Sequence, residues 1–181
     1  MHSKSSSHIG LKVILIAAIG SNNELGRNND LLWRLKSDMD FFKRTTTNHQ
    51  VIMGRKSWES LPPKFRPLPN RQNVVITRDP AFAADGCIVH YSLEKALQEA
   101  SHTGLKNVFV IGGGQLYSHA LQQELVDEMY LTHVGATFAD ADVLFPAIRE
   151  SEWEKELIET FTSDDRNDYN GAIWHYVKIR S

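Results

Sequence analysis

The chain has 181 residues, of which 41% are hydrophobic and 23% charged, and its formal net charge at pH 7 is −2. These values fit one globular domain with a sizeable core, and they exclude a general electrostatic attraction to nucleic acid or to an anionic membrane. The single Cys87 excludes an internal disulfide, and histidines without paired spacing predict that the chain has no metal site.

The N-terminal residues 1–11, rich in Ser and His, are predicted to be a disordered extension, and residues 12–181 a single domain. The apolar run at 13–19 follows two lysines, as in a signal peptide. Because it is short and leads into a Gly- and Asn-rich loop, we predict a buried strand instead. No run approaches the ~20 apolar residues of a membrane span. We expect a cytoplasmic protein, and a monomer because no long apolar stripe demands a partner.

Short apolar runs alternate with helical patterns along most of the chain. Strands are predicted at 13–19, 50–53, 73–77, 88–91 and 108–111, and helices at 37–46, from 56, at 93–101 and at 115–121. This alternation predicts an α/β fold, a mainly parallel twisted sheet with helices on both faces. The runs at 129–134, 154–162 and 172–179 follow without helices, and residues 168–171 supply turn chemistry, so we expect an antiparallel C-terminal hairpin.

Asp38 lies where a carboxylate is unexpected. In a helix over residues 37–46, four residues follow the i, i+3, i+4, i+7 spacing of a core-facing stripe: Leu35, Asp38, Met39 and Phe42. An ionised group against apolar surface costs roughly several kcal/mol unless something pairs with it. A ligand is therefore the expected partner of Asp38.

A second interpretation of Asp38 stays open from the helix alone, since acids are common in the first helical turn. Ser37 followed by Asp40 resembles a capping box, which would assign the helix terminus to Asp40. Asp38 would then have no capping role.

Two predicted strands end in glycines at the start of a helix. Gly54, Arg55, Lys56 and Ser57 follow one strand, and Gly112, Gly113 and Gly114 follow another. Helix N-terminal amides beside glycine suit a phosphate. In many α/β proteins such a turn only connects a strand to a helix, but two such turns together favour a dinucleotide. Arg78, together with Arg55 and Lys56, could hold the phosphate monoester that distinguishes NADPH from NADH. The absence of G-x-G-x-x-G after the first strand and of a P-loop argues against an ordinary dehydrogenase or NTPase.

Several short sequence blocks are informative because of their order. They are 16–18, Leu25-Gly26, Trp33, Asp38 with 41–43, VIMGRKSWES at 51–60, PLPNR at 67–71, VVITR at 74–78, IGGG at 111–114 with Tyr117, and YLTH at 130–133. From about residue 12 onward the chain thus resembles the dihydrofolate reductase family of bacterial type. The resemblance implies NADPH-dependent reduction of dihydrofolate to tetrahydrofolate, and a fold that antifolate inhibitors bind.

The resemblance implies roles for single residues on the substrate side. Asp38 would accept hydrogen bonds from the pterin ring nitrogen and exocyclic amine, with Thr132 bridging to it, and Arg71 would hold a carboxylate of the glutamate tail. The implied catalytic residues are Asp38, Trp33 and Thr132, with a water as the immediate proton donor. The other implied substrate contacts are Ile16, Ala18, Leu31, Met39, Phe42, Ser60, Leu61, Leu68, Ile111 and Tyr117.

The resemblance also implies an NADPH site, with a cis peptide between Gly112 and Gly113. The implied contacts are Ala18, Ile19, Leu25 and Gly26 near the nicotinamide, Gly54, Arg55, Lys56, Ser57, Thr77 and Arg78 on the adenine side, and Ile111, Gly112, Gly113, Gly114, Gln115, Leu116 and Tyr117 near the pyrophosphate. The loop at 20–32 would cover the nicotinamide. Leu32, Lys36 and Gln115 depart from the commonest family pattern.

Two other interpretations compete with this one. The reductase of riboflavin biosynthesis shares the fold and NADPH, but Asp38 in an apolar setting with Trp33 favours a pterin pocket. The chain could also be a non-catalytic nucleotide-binding module, but that function would not explain why Asp38, Thr132 and Arg71 occur together.

Overall fold

A computed structural model of the chain describes residues 10–26 and 30–180. Most of the predicted extension lies outside the described residues. Leu11, which the prediction included in the extension, is 6% exposed and packs in the core. The core therefore includes a residue that precedes the first strand.

The described residues form ten strands and four α-helices. In chain order they are β1 (Lys12–Ile19), β2 (Glu24–Gly26), α1 (Lys36–Thr46), β3 (Gln50–Gly54), α2 (Arg55–Ser60), β4 (Gln72–Ile76), β5 (Cys87–His90), α3 (Leu93–His102), β6 (Asn107–Gly112), α4 (Gly114–Gln122), β7 (Glu128–Val134), β8 (Val143–Leu144), β9 (Trp153–Phe161) and β10 (Gly171–Lys178). Short 3-10 turns lie at Pro63–Phe65 and Glu150–Glu152. None of the described helices is long and apolar enough to cross a membrane.

One sheet of eight strands runs in the order β5-β4-β3-β6-β1-β7-β10-β9. The strands from β5 to β7 pair in parallel, whereas β10 is antiparallel to both β7 and β9. The predicted α/β fold, with a mainly parallel sheet and an antiparallel C-terminal hairpin, is confirmed. The two-stranded sheet of β2 and β8 was not predicted, because strands of three and two residues are too short to show alternation.

The hairpin turn differs from its prediction. Residues 168–171 were expected to make the turn, but β9 ends at Phe161 and β10 begins at Gly171, so a loop of residues 162–170 connects them. Asn167 in this loop is only 2% exposed. The loop folds back onto the start of α1 instead of turning tightly, and this contact bears on the site.

The sheet separates two layers of helices. On one face α1 and α2 pack through Phe41 and Trp58 over the apolar side chains of β1, β3 and β4. On the other face α3 and α4 cover a larger core. Because the strands from β5 to β7 are parallel, the glycine turns after β3 and β6 open at the same edge of the sheet, where ligands of α/β proteins bind.

Candidate active site

The face that α1 turns toward the sheet carries Phe41 and Phe42, and Asp38 lies one turn before them, half-buried. Phe41 is 6% exposed and Phe42 is half-buried, whereas Met39 is 55% exposed. The predicted core-facing position of Met39 is therefore wrong, and Phe41 occupies the core. The reason is that Leu35 precedes the helix with extended backbone, at φ −132° and ψ 94°, so it does not share the helical phase assumed for the stripe.

The first turn of α1 is capped by a distant residue. The amide nitrogen of Ser37 donates to Asn167 Oδ1 at 3.0 Å, and Asn167 Nδ2 donates to Ser37 Oγ at 3.0 Å. Asp40 instead pairs with Lys36 and Arg166, so the predicted capping box of Ser37 and Asp40 is wrong. The loop 162–170 thus holds the helical turn that carries Asp38.

Within the described parts of the chain, Asp38 has one side-chain hydrogen-bond partner. Thr132, which is 2% exposed on β7, donates its hydroxyl to Asp38 Oδ1 at 2.5 Å. Burial raises the pKa of Asp38, with a smaller increase from Glu159, and the Thr132 hydrogen bond opposes this change. Among the described residues no cation pairs with Asp38, so its second oxygen and its charge remain available to a ligand.

Apolar residues from β1, β7 and the segment before α1 pack together beside Thr132, the partner of Asp38. Ala18 pairs with Thr132 in the sheet register. Trp33 is 8% exposed and packs on Phe138, with ring centroids 5.2 Å apart. Tyr117 donates its hydroxyl to the Ile16 carbonyl at 2.7 Å, which ties α4 to β1. This pocket combines one carboxylate with apolar walls.

Arg71 lies beside the opposite end of α1. Its Nε donates to the Pro69 carbonyl at 2.9 Å and its Nη1 to Thr46 Oγ1 at 3.2 Å, while its guanidinium lies 5.8 Å from the Phe42 ring centroid. No carboxylate within the described parts of the chain pairs with it. Asp38 and Thr46 are separated by about 12 Å along the helix axis, so an acid near one end of α1 and a cation near the other suit the two ends of an elongated ligand.

The two glycine turns meet at the edge of the sheet. A Cβ on Gly113 would lie 3.2 Å from Ser57 Oγ, and a Cβ on Gly112 would lie 3.3 Å from the Tyr117 hydroxyl. Gly112 also has a φ of +133°, and the peptide between Gly112 and Gly113 is cis, as the resemblance implied. Bare backbone is therefore required where the turns after β3 and β6 face each other, which suits a cradle for a pyrophosphate.

The cations near this cradle are not equivalent. Arg55 Nε donates to Glu59 at 2.7 Å and its Nη1 donates to Asp79 at 2.8 Å, so two of its nitrogens already have partners within the chain. Arg78 is exposed and has no acid partner among the residues the structure describes. Lys56 is also exposed.

The remaining predicted residues differ in exposure. Ile19, Leu68 and Leu116 pack their side chains in the core, which leaves their backbone for a ligand. Leu31, Ser60 and Gln115 are exposed, and Ile111, Leu61 and Thr77 are half-buried. Leu25 and Gly26 lie in β2, and part of the predicted covering loop, residues 27–29, lies outside the described residues.

Comparisons with known proteins agree with this geometry. The model of the dihydrofolate reductase family matches residues 12–178. The dihydrofolate reductase of Bacillus subtilis (strain 168) is 38% identical over 169 residues, which are 93% of this chain and 96% of that protein. Dihydrofolate reductase type 3 of Salmonella typhimurium is 40% identical over 157 residues, which are 87% of this chain and 92% of that protein.

A solved structure is also similar. Dihydrofolate reductase from Enterococcus faecalis, complexed with NADP(H) and RAB-propyl, has a TM-score of 0.83 and 28% identity, covering 93% of this chain and 97% of that chain. The fold and the site thus define an α/β oxidoreductase with a dinucleotide cofactor. The chain belongs to the dihydrofolate reductase family. Membership of this family favours a dihydrofolate reductase with a pterin pocket over a reductase of riboflavin biosynthesis.

Proposed function

We propose that Asp38 and Thr132 form the pterin site of an NADPH-dependent reduction of dihydrofolate to tetrahydrofolate. The observation that carries this assignment is the Asp38–Thr132 hydrogen bond within apolar walls. A half-buried, desolvated carboxylate with one side-chain donor and no cation among the described residues needs further donors. The ring nitrogen and exocyclic amine of a pterin supply two of them on one edge.

The chain's own residues position and stabilise the substrate. NADPH, when bound, supplies a hydride to the pterin carbon. The negative charge of Asp38 stabilises the pterin as its ring nitrogen gains a proton, which a water delivers because the carboxylate faces the opposite edge of the ring. Trp33 and Ala18 exclude bulk water from this end of the cleft, which strengthens the charge interactions within it.

Arg71 is proposed to bind the glutamate tail of dihydrofolate. Its two intramolecular hydrogen bonds fix the guanidinium while its charge stays unpaired within the described chain. Burial lowers the pKa of Arg71 from its ordinary value, and a carboxylate ligand would compensate this desolvation. Phe42 beneath the guanidinium would contact the apolar middle of the substrate.

The glycine cradle is proposed to hold the NADPH pyrophosphate, with Thr77 and Arg78 on the adenine side. The close approach of Ser57 to Gly112 and Gly113 supports this placement, because a side chain on either glycine would fill the cradle. We also infer a single domain from residue 12, a monomer, and a cytoplasmic location, as expected for an enzyme of central metabolism that uses NADPH. Antifolates would bind in the same cleft.

A steady-state assay tests the reaction. We expect NADPH oxidation that saturates with dihydrofolate and yields one tetrahydrofolate per NADPH consumed. A ribosylated aminopyrimidine substrate and a reaction without dihydrofolate are the controls. Turnover of the pyrimidine alone would favour the riboflavin-type reductase, and NADPH binding without turnover would favour the nucleotide-binding module.

A further inference from the structure

The side chain of Arg55, at the start of α2, is held at three points. Its Nε donates to Glu59 at 2.7 Å, its Nη1 donates to Asp79 at 2.8 Å, and its guanidinium carbon lies 5.1 Å from the Phe82 ring centroid. The two carboxylates hold the pKa of Arg55 above its ordinary value. Arg55 lies directly after Gly54, where the first glycine turn opens.

These ion pairs occupy both forks of the guanidinium. An arginine binds a phosphate strongly when two parallel N–H groups face two oxygens, either Nε with Nη2 or Nη1 with Nη2. Glu59 takes a donor from the first pair and Asp79 a donor from the second. While both ion pairs persist, the Nε–Nη2 pair is not open to a phosphate, and Asp79 competes with a phosphate for Nη1 of the other pair.

Asp79 lies in the turn that follows the proposed adenine-side residues Thr77 and Arg78. Its Oδ1 accepts a hydrogen bond from the Ala81 amide at 2.9 Å, and its own amide donates to Thr77 Oγ1 at 3.2 Å. Asp79 thus joins the turn after β4 to the start of α2. Arg55 and Asp79 are both about two-fifths exposed, so water and salt weaken their pair and an anion can compete for the cation.

We propose that Asp79 sets the cofactor preference by competing with the adenosine 2′-phosphate of NADPH for Arg55. This inference rests on the proposed NADPH site. Asp79 is a specificity-determining residue, because its ion pair with Arg55 competes with the phosphate for the guanidinium. NADH has no phosphate at that position, so its affinity does not depend on the ion pair.

The Asp79→Asn variant tests this inference. The amide oxygen can still accept the Ala81 hydrogen bond, so the turn is retained while the ion pair is lost. We expect the Kd of NADPH, measured by fluorescence titration at fixed ionic strength, to fall about two- to fivefold. The Kd of NADH should change less than twofold. The matched control is Glu99→Gln, which removes one exposed charge of an i,i+4 pair on α3, and it should change neither Kd.

A double-mutant cycle with Arg55→Gln separates competition from simple repulsion. If Asp79 acts through Arg55, Asp79→Asn gives no gain in NADPH affinity in the Arg55→Gln background. A gain that persists there would show direct charge repulsion and overturn the inference. Weaker NADPH binding by Asp79→Asn, or equal gains for NADPH and NADH, would also overturn it. If the unmodified protein failed to bind NADPH at all, the proposed function itself would fail.

Discussion

The proposed pterin end, at Asp38, and the proposed adenine end of the cofactor site, at Arg55, use charge in opposite ways. At the pterin end, Asp38 is a single carboxylate among apolar walls, with one hydrogen bond from Thr132. At the adenine end, Arg55 lies in an exposed network with Glu59 and Asp79. At the first end a single charged side chain determines the local electrostatic field. At the second end several charged side chains share that role.

This difference in environment determines what a substitution does. A charge in a low-dielectric pocket interacts strongly with whatever enters, whereas exposed pairs are screened and each contributes little. We therefore expect changes at Asp38 to alter the reaction itself. Changes at the adenine end should alter the affinity for NADPH, and the preference for NADPH over NADH, by small factors.

The Asp38→Asn variant should show the largest effect. It removes the charge that stabilises the protonated pterin and keeps the side-chain shape. We expect the single-turnover hydride transfer rate at pH 7 to fall at least about 100-fold, with the Kd of NADPH unchanged. An unchanged rate and pH profile would show that Asp38 has no role in the reaction. The proposed difference between the two ends would then be wrong.

The Arg71→Lys variant should show the next largest effect. Lysine keeps the charge but loses the planar fork that binds a carboxylate through two hydrogen bonds. We expect the KM of dihydrofolate to rise about tenfold, the loss of one charge-assisted hydrogen bond, with kcat nearly constant. A dihydropterin without the glutamate tail is the control substrate, and equal sensitivity of that compound would contradict the assignment.

The Asn167→Ala variant tests the remote cap of α1. Both of its hydrogen bonds to Ser37 are lost, and we expect the free energy of unfolding in urea to fall by about 1–2 kcal/mol, together with a lower kcat. Asn170→Ala is the matched control, since Asn170 lies in the same loop but bonds to Ser163. It should cost less than about 0.5 kcal/mol. Equal losses in both variants would show that the loop, not the cap, matters.

The Thr132→Val variant should give the smallest effect, and the size of that effect depends on pH. The hydroxyl lowers the pKa of Asp38, so its loss raises that already raised pKa further. A raised folded-state pKa contributes stability below the unfolded value, and this stability is lost as pH rises through the folded pKa. Urea unfolding of the ligand-free variant should show a loss of about 1 kcal/mol at pH 8 and less at pH 4. Thr132→Ser keeps the hydroxyl and should match the unmodified protein at both pH values.

The sheet and helices could be predicted because each is a continuous run with its own period. The bounds of the predicted elements agree with the observed ones to within one residue. Asp38 was found from its spacing and from the ordered family blocks. The predicted stripe included Met39 and omitted Phe41 because Leu35, which lies outside the helix, was used to set the helical phase.

The parts that could not be predicted depend on contacts between distant residues. Asn167 caps α1 from 130 positions away, and Asp79 pairs with Arg55 across 24 positions. An asparagine or aspartate in a polar loop can cap many donors, so the sequence shows the capacity of Asn167 but not its partner. The strands β2 and β8 could not be predicted for a different reason, because they are too short to show a hydrophobic period.

A crystal structure of the protein with NADPH and a folate tests the central claim most directly. We predict that the pterin ring nitrogen and exocyclic amine lie about 2.7–3.2 Å from the Asp38 carboxylate oxygens, with the Thr132 hydrogen bond retained. Arg71 should contact a carboxylate of the tail. A pterin ring bound away from Asp38, with the carboxylate still paired only with Thr132, would contradict the assignment of this pocket.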